Sequence, residues 1–270
     1  MTRLPGTKVV HLERRQSHLF ATLDDAATRN ALSDAMVTDL EAVLAATRDD
    51  ATLRTLVIRG TQGRFCAGGN LKGMDANAAK VGDGTDPIRE DSIRGGRLFH
   101  ALNRHPMVVI ALVNGPAMGG GFGLACCADI VITTPAARFA LSETTLGLVP
   151  AQIAPMVIDR IGLRATRKLA LTGGRLDGAQ ALAIGLSDHH CANAEEADAL
   201  LDTLLQQIGR CGPRANAATK RLLLDIAGGD SEQQIARAAD VFTECLNGAE
   251  GREGIAAFVG KRRPDWAEPE

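Results

Sequence analysis

Two clusters of glycine mark the segments of this sequence in which backbone groups could do chemistry. Gly68 and Gly69 follow an apolar run, and Gly119, Gly120 and Gly121 stand between an apolar run and a short apolar segment. Glycine lets the backbone approach a ligand and permits positive φ without steric cost. A helix N-terminus adds unpaired N–H donors and a partial positive charge. The clusters therefore indicate either a phosphate or dinucleotide site or an ordinary strand-to-helix turn.

Known nucleotide-binding motifs do not explain these clusters. Residues 119–124 lack the last glycine of G-x-G-x-x-G, and the sequence contains no G-x-x-x-x-G-K-[ST]. The 30 Lys+Arg and 32 Asp+Glu give a net charge of −2, so no bulk field attracts nucleic acid or an anionic membrane. Aromatic residues make up only 3% of the chain, which argues against a base-stacking surface. We therefore expect no nucleic-acid or membrane partner.

The cysteines and the N-terminal segment narrow the class of protein further. The six cysteines contain no C-x-x-C pair, and no histidine stands at metal-ligand spacing from them. We expect no metal site and reduced thiols, as in a cytoplasmic protein. Residues 1–15 have no apolar signal-peptide core, and no stretch reaches the roughly 18 apolar residues that a membrane span needs. The sequence predicts a soluble, cytoplasmic protein.

The segments that position the glycine clusters alternate between strand and helix patterns. Ser33 is a typical N-cap, and apolar residues recur at helical spacing behind it. We predict strands over 9–12, 19–23, 53–59, 107–113 and 130–133 and helices over 88–103, 122–128, 200–208, 214–227, 232–246 and 252–259. This order indicates an α/β domain followed by helices alone. The polar stretch 76–86 has no periodicity and is predicted to be a mobile segment.

Three segments in a fixed order resemble the signatures of the crotonase (enoyl-CoA hydratase/isomerase) superfamily. The first is Arg-Phe-Cys-Ala-Gly-Gly-Asn-Leu-Lys at 64–72. The second is Asn-Gly-Pro-Ala-Met-Gly-Gly-Gly-Phe-Gly-Leu at 114–124, followed by Cys-Ala-Asp-Ile at 127–130. The third is Phe-Ala-Leu-Ser-Glu at 139–143, followed by Leu-Gly-Leu-Val-Pro at 146–150. The resemblance implies an α/β spiral of β-β-α turns as the acyl-CoA-binding core (1–194) and a helical part (195–270) that makes trimers or dimers of trimers.

The resemblance also implies how an acyl-coenzyme A thioester is bound. The N–H groups of Gly69 and Gly120 occupy the positions that bind the thioester oxygen as it becomes enolate-like. No separate cofactor is implied, because coenzyme A is part of the substrate. The implied contacts to the substrate come from Ala67, Gly68, Leu71, Lys72, Phe258 and Lys261, the last two reaching a neighbouring subunit's ligand. The alternative for the two lysines is a solvated surface side chain.

The reaction class depends on which carboxylates the motifs retain. The best-known hydratases of the family carry two glutamates, but here Gly123 stands at the first position and Glu143 at the second. Ala151 stands where the dehalogenases and dienoyl-CoA isomerases carry an aspartate, so neither of those reactions is expected. Residues 146–155 and Gly123 resemble the bacterial 3-methylglutaconyl-CoA and isohexenylglutaconyl-CoA hydratases. The resemblance implies a hydratase that works with a single glutamate. An enoyl-CoA isomerase and a non-catalytic acyl-CoA-binding protein are the alternatives.

Three further side chains have a possible role in this chemistry. Gln152 could hold the attacking water, although an ordinary loop residue is the simpler interpretation. Arg94 or Arg97 could bind a second, distal carboxylate of the substrate, whereas a solvated helix face is the simpler interpretation of both. Asn70 departs from the aspartate that is usual in the family, so a salt link at this position is not expected.

Overall fold

The computed structural model describes residues 3–70, 87–226 and 231–267, and the predicted mobile segment 76–86 lies outside them. The strands are Val10–Arg15 (β1), His18–Leu23 (β2), Thr55–Gly60 (β3), Val108–Val113 (β4), Pro116–Met118 (β5), Ile130–Thr133 (β6), Arg138–Ala140 (β7), Arg175–Asp177 (β8) and His189–His190 (β9). The α-helices are Asp34–Thr47 (α1), Pro87–Asn103 (α2), Gly120–Cys126 (α3), Ala154–Thr172 (α4), Gly178–Ala183 (α5), Ala194–Gly209 (α6), Pro213–Ile226 (α7), Ser231–Asn247 (α8) and Ala249–Val259 (α9). A 3₁₀ helix spans Glu143–Leu146.

The strands form two sheets, and from β4 to β7 the chain alternates between them. The larger sheet has the order β1-β2-β3-β4-β6-β9, with β1 antiparallel to β2 and the remaining pairs parallel. The smaller sheet has the order β5-β7-β8. The chain passes from β4 to β5 and then α3, and from β6 to β7 and then the 3₁₀ helix and α4. Each such turn gives one strand to each sheet, which is the repeated β-β-α arrangement.

Two isolated bridges bring the glycine clusters together. Strands β3 and β4 are parallel neighbours, so the segments that follow them leave the same edge of the sheet. One bridge pairs Cys66 with Ala117 of β5, and the Met118 N–H donates to the Cys66 carbonyl at 2.9 Å. The other bridge pairs Leu32 with Gly69. The loop of Gly68 and Gly69 is therefore attached both to β5, just before α3, and to the segment that leads into α1.

The larger sheet is covered on both faces, which explains why its strands are continuous apolar runs. One face packs on the apolar sides of helices α1 to α4, including Met36, Phe122 and Val157. The other face, including Phe20 and Ile110, packs on helix α6. The core is built from aliphatic side chains and a few phenylalanines, as the composition requires.

A buried lysine fixes the C-terminal helices to this core. The ammonium group of Lys220 on α7 donates to the carbonyls of His105 at 2.8 Å and Met107 at 2.7 Å, just before β4. It also pairs with Asp129 at 2.6 Å. Helix α9 packs against α8 and α7. The division of the chain at 194 remains a prediction, and α6 begins at Ala194 rather than at the predicted residue 200.

Most of the predicted elements are present, and one long helix is not among the predictions. Ser33 caps α1 by accepting from the Met36 N–H at 3.3 Å, as predicted. Strand β6 has the predicted bounds, and α3 begins at Gly120 rather than Phe122. Helix α4, with 19 residues, is the main omission. Gly162 has φ 74° and ψ 158° inside it, so the helix is kinked there.

Candidate active site

The two glycine loops lie in direct contact. A Cβ built on Gly68 would be 2.7 Å from the Met118 carbonyl oxygen and 3.5 Å from the Gly120 nitrogen. A Cβ built on Gly120 would be 3.6 Å from the Gly69 nitrogen. Gly68 has φ 95°, a conformation that favours glycine. The structure therefore requires small residues here, and it places the backbone nitrogens of Gly69 and Gly120 side by side.

Both nitrogens are available to a ligand. Gly120 is the first residue of α3, where a helix has no internal acceptor for its N–H group. The preceding Gly119 has φ 47° and donates its own N–H to the Ala140 carbonyl at 2.9 Å. Within the described ranges, neither the Gly69 nor the Gly120 N–H donates to another backbone group outside regular helices and strands. Two adjacent N–H groups that have no backbone acceptor are an arrangement that can bind a carbonyl oxygen as it gains negative charge.

The carboxyl group of Glu143 lies next to these donors. Glu143 is the first residue of the 3₁₀ helix that follows β7, and a Cβ on Gly119 would be 2.8 Å from its Oε1 atom. Its Oε2 atom is buried and has no hydrogen-bond partner. Burial raises the pKa of this carboxyl group, and a backbone hydrogen bond opposes the shift in part. A half-buried carboxylate with one unpartnered oxygen and a raised pKa is suited to proton transfer.

The position of a second carboxylate is closed by an apolar side chain. A Cβ built on Gly123 would overlap the Cγ2 methyl of Ile153 and would lie 2.8 Å from its Cβ and 3.3 Å from Cε1 of Phe99. Ile153 and Phe99 are both buried. We call the space at Gly123 that Ile153 fills the Gly123 notch. Packing therefore requires glycine at this position, and of the two motif positions only that of Glu143 carries a carboxylate.

The polar candidates near this site are held by other residues. The Gln152 side-chain amide donates to the Ser92 hydroxyl on α2 at 3.1 Å. Arg94 forms ion pairs with Asp34, and with Glu41 at 2.6 Å, both on α1. Arg94 therefore already has two carboxylate partners within the protein.

The residues implied for coenzyme A binding are only partly described. Ala67 is exposed and Gly68 is buried, both beside the Gly69 nitrogen. Leu71 and Lys72 lie outside the described residues. Phe258 is 85% exposed at the end of α9, and Lys261 is also exposed just beyond it. The exposure leaves both side chains free for contacts outside this chain, and it does not by itself place them near a ligand.

Other parts of the described chain offer no competing catalytic group. A cavity of about 940 Å³ lies between the end of α2 and helices α7 to α9 and is not lined by the two loops or Glu143. No group of three or more His, Cys, Asp or Glu in the described ranges is arranged to hold a metal ion. None of the described helices has the length and apolar character needed to cross a membrane. All six cysteines are free, and burial raises the pKa of the Cys66 thiol to about 12.

The sequence did not indicate Ile153 and Phe99 as site residues, and it placed Gly119 in a glycine cluster without showing its contact with Glu143. Gly119 sets the position of Glu143, and Ile153 with Phe99 fills the Gly123 notch. A position at the start of α4 is what could have indicated Ile153 as a site residue. Its contact with Gly123, 30 residues earlier in the chain, does not follow from the sequence. Phe99 falls on the buried face of the predicted α2, where an aromatic residue normally indicates core packing.

Comparison with known proteins assigns the chain to one family. The profile described as "Enoyl-CoA hydratase/isomerase" matches residues 13–269. The chain is 34% identical over 248 residues to "Enoyl-CoA hydratase domain-containing protein 2, mitochondrial" of Mus musculus, covering 88% of this chain and 80% of that protein. It is 31% identical over 260 residues to "2,3-dehydroadipyl-CoA hydratase" of Escherichia coli K12, covering 94% and 97%. The structure superposes on that of Pseudomonas aeruginosa AtuE with a TM-score of 0.92 at 46% identity, covering 97% and 100%. These matches confirm the predicted fold class.

Proposed function

Because this chain belongs to the enoyl-CoA hydratase/isomerase family, we propose that it adds water across the C=C bond of an enoyl-CoA thioester. The observation that carries this proposal is the carboxyl group of Glu143, whose buried Oε2 has no partner and whose Oε1 lies against Gly119, next to the Gly120 N–H. Relatives named as enoyl-CoA and 2,3-dehydroadipyl-CoA hydratases support hydration as the reaction class.

In this proposal the N–H groups of Gly69 and Gly120 bind the thioester oxygen. Addition of a nucleophile to a conjugated enoyl thioester moves an electron pair from the C=C bond to that oxygen, which becomes enolate-like. Preorganised donors in a site shielded from water contribute about 3–4 kcal/mol each in comparable oxyanion holes. Replacement of Gly120 by proline removes one donor, so we expect kcat to fall by at least about 10²-fold. Affinity for a CoA ester, measured in parallel, separates this loss from a disturbed turn.

A single carboxylate is sufficient for the proton balance. Glu143 takes one proton from water while the hydroxyl oxygen bonds to C3, and the electron pair of C=C passes to the thioester oxygen. The enolate then collapses, and C2 takes the proton from Glu143 on the same face. One water is consumed, and Glu143 returns to its ionised state. No second acid or base is required, which agrees with an apolar side chain in the Gly123 notch.

Replacement of Glu143 by glutamine tests the proposal directly. Glutamine keeps the size and polarity of the side chain but cannot transfer a proton, so we expect kcat to fall by about 10²–10⁴-fold with little change in CoA-ester affinity. Glu195→Gln, at an exposed position on α6, is the matched control and should retain full activity. Retention of more than about a third of the wild-type kcat in Glu143→Gln would show that another group carries the proton.

An enoyl-CoA isomerase is the second candidate, and the same lone carboxylate favours it. Such an enzyme would use Glu143 to move a proton between two carbons of the acyl chain. The ultraviolet absorbance of a conjugated enoyl thioester separates the two reactions. Hydration of a conjugated substrate removes this absorbance, whereas isomerisation of an unconjugated substrate creates it. Loss of absorbance with product gaining one water by mass assigns the hydratase.

For the substrate, we propose a branched enoyl-CoA that carries a distal carboxylate. The support is the resemblance of residues 146–155 and Gly123 to glutaconyl-type hydratases. Since Arg94 is bound by Asp34 and Glu41, the exposed Arg97 is the remaining candidate on α2 for the carboxylate. We expect Arg97→Ala to lower kcat/KM for a carboxylated enoyl-CoA and to leave that for an uncharged one unchanged. Equal loss with both substrates would exclude this role.

We propose a homotrimer, or a dimer of trimers, as the assembly. Exposed apolar side chains lie at the end of the 3₁₀ helix and directly after it, on α4 and on α9. They are Leu146, Leu148, Val149, Leu163, Leu171, Phe258 and Val259. Apolar surface of this extent is typical of an interface. Sedimentation at micromolar concentration should give three or six chains, and a monomer would exclude the proposal.

A further inference from the structure

The segment that connects Glu143 to α4 has few attachments of its own to the core. From Thr144 to Ala151 every side chain is exposed except Pro150, which is half-buried. Hydrogen bonds within the segment are local, such as the Leu148 N–H to the Glu143 carbonyl at 3.0 Å. Thr144 reaches further, donating its hydroxyl to the Ala170 carbonyl at 2.7 Å. The position of this segment relative to the two glycine loops therefore depends on the contacts made at its C-terminal end, next to α4.

That far end is held by Gln152, which sits on a glycine of α2. A Cβ on Gly96 would overlap Oε1 of Gln152 and would lie 2.9 Å from its Cδ. The side-chain amide of Gln152 donates to the Ser92 hydroxyl, one helical turn before Gly96. Only glycine at 96 leaves room for this arrangement. The neighbouring Gly95 has no such restriction, because a Cβ there would meet nothing within 4 Å.

The next residue connects this contact to the oxyanion site. Ile153 fills the Gly123 notch on α3, the helix whose first N–H belongs to Gly120. Gly123 is hydrogen-bonded through its own N–H to the Gly119 carbonyl at 3.0 Å. Gln152 thus contacts α2 and Ile153 contacts α3, and both residues directly follow the segment 144–151 that leads from Glu143.

We propose that Gln152 is a positioning residue for the reaction. By sitting on Gly96 and bonding to Ser92, it holds Ile153 in the Gly123 notch and keeps the Glu143 carboxylate beside the Gly120 N–H. One N–H group of its amide is used in the bond to Ser92. The inference rests on the proposed role of Glu143. Displacement of a reacting group by about 1 Å is enough to lower a rate by about 10²-fold.

The two adjacent glycines of α2 provide a matched test with a conjugated enoyl-CoA as substrate. Gly96→Ala places a methyl group where Gln152 lies, so we expect kcat to fall by about 10-fold to 10²-fold with KM nearly unchanged. Gly95→Ala makes the same change in helix propensity at an open position, and its kcat should stay within twofold of wild type. Gln152→Ala should resemble Gly96→Ala. Adding Gly96→Ala to Gln152→Ala should then cost nothing further, because the clash is gone.

The pH profile distinguishes positioning from general destabilisation. In Gly96→Ala and Gln152→Ala, a displaced Glu143 gains access to water, so the acid limb of kcat/KM should move to lower pH, toward that of an ordinary glutamate. A purely structural contact would lower the melting temperature and leave this limb unchanged. Unchanged kcat and acid limb in Gly96→Ala overturn the proposal, as does an equal loss in Gly95→Ala or a further loss in the double variant. Full activity of Glu143→Gln would instead overturn the proposed function.

Discussion

The carboxyl group of Glu143 is separated from the backbone of Gly119 by less space than a methyl group needs. A Cβ built on Gly119 would lie 2.8 Å from Glu143 Oε1. Gly119 immediately precedes the Gly120 N–H and turns the chain from β5 into α3 with φ 47°. One residue without a side chain therefore sets both the direction of a proposed oxyanion donor and the position of the proposed acid–base group.

Gly119→Ala should therefore displace Glu143. We expect kcat to fall at least about 10-fold, with CoA-ester affinity retained. Gly147→Ala is the control, because Gly147 also has a positive φ, 72°, but a Cβ there meets nothing within 4 Å. Alanine is strained at both positions, and more so at Gly119, where ψ is −111°.

Shortening the carboxylate separates the clash from this backbone strain. If contact with Glu143 causes the loss, Gly119→Ala should lower kcat by a much smaller factor in the Glu143→Asp variant than in the wild-type enzyme. The two kcat ratios form a double-mutant cycle. Equal ratios would assign the loss to the turn and not to the carboxylate.

The raised pKa of Glu143 predicts the acid limb of the pH profile. The carboxylate must be ionised to take a proton from water, so kcat/KM should fall as the pH drops through its pKa, above the ordinary range of a glutamate.

The raised pKa of Glu143 also has a consequence for the stability of the fold. The folded state binds the proton more readily than the unfolded state, so burying the ionised group is unfavourable at neutral pH. Glu143→Gln should lose activity and keep or raise the melting temperature, and a lower melting temperature would contradict this account.

Gly123→Ala should destabilise the protein by overpacking. The added methyl group overlaps Ile153, and insertions of this kind typically cost about 1–3 kcal/mol. Ile153→Ala alone leaves a cavity and should also be destabilising. In the double variant the methyl group at 123 enters part of that cavity. The two changes should therefore cost at least about 1 kcal/mol less together than the sum of the single effects. Additive free energies of unfolding would exclude the contact.

Local sequence patterns predict much of the secondary structure, but they do not predict contacts between segments that are distant in the sequence. The Ser33 cap, the apolar strands and the helices after 194 follow from residue type and periodicity. Helix α4, which is kinked at Gly162, is absent from the predicted elements. The carboxylates that occupy Arg94 belong to another helix, and nothing in the periodicity of α2 indicates them. The motifs identified Gly69, Gly120 and Glu143, and the structure adds that Gly69 and Gly120 lie side by side and that Glu143 lies against Gly119.

His105 should make the stability of the protein depend on pH. The imidazole is buried beside Leu44 and Thr47, and burial, aided by the charges of Lys220 and Arg48, lowers its pKa to about 4. The unfolded chain binds this proton near pH 6.5. Stability should therefore fall as the pH is lowered from about 6.5 to about 4, by about 3 kcal/mol at most from this group.

Replacing His105 by glutamine isolates this contribution. The free energy of unfolding of the wild type should decrease more between pH 7.5 and pH 5 than that of His105→Gln, although the variant is less stable at pH 7.5. The comparison cancels other titrating groups, including Glu143. Parallel pH dependence of the two proteins would show that His105 is not held neutral in the folded state.

Lys220 offers the last test, because it joins the C-terminal helices to the strand that leads to the second glycine loop. Lys220→Met keeps the apolar stem but leaves the carbonyls of His105 and Met107 and the carboxylate of Asp129 without the ammonium group. Asp129 retains the Val109 N–H at 2.7 Å and is partly exposed. We therefore expect a loss near the lower end of the usual cost of breaking a buried ion pair, about 3 kcal/mol. Arg221→Met, exposed on the next position of α7, should change the unfolding free energy by less than about 0.5 kcal/mol. If the two variants are equally stable, the bond to the core contributes nothing, and packing alone holds α7 in place.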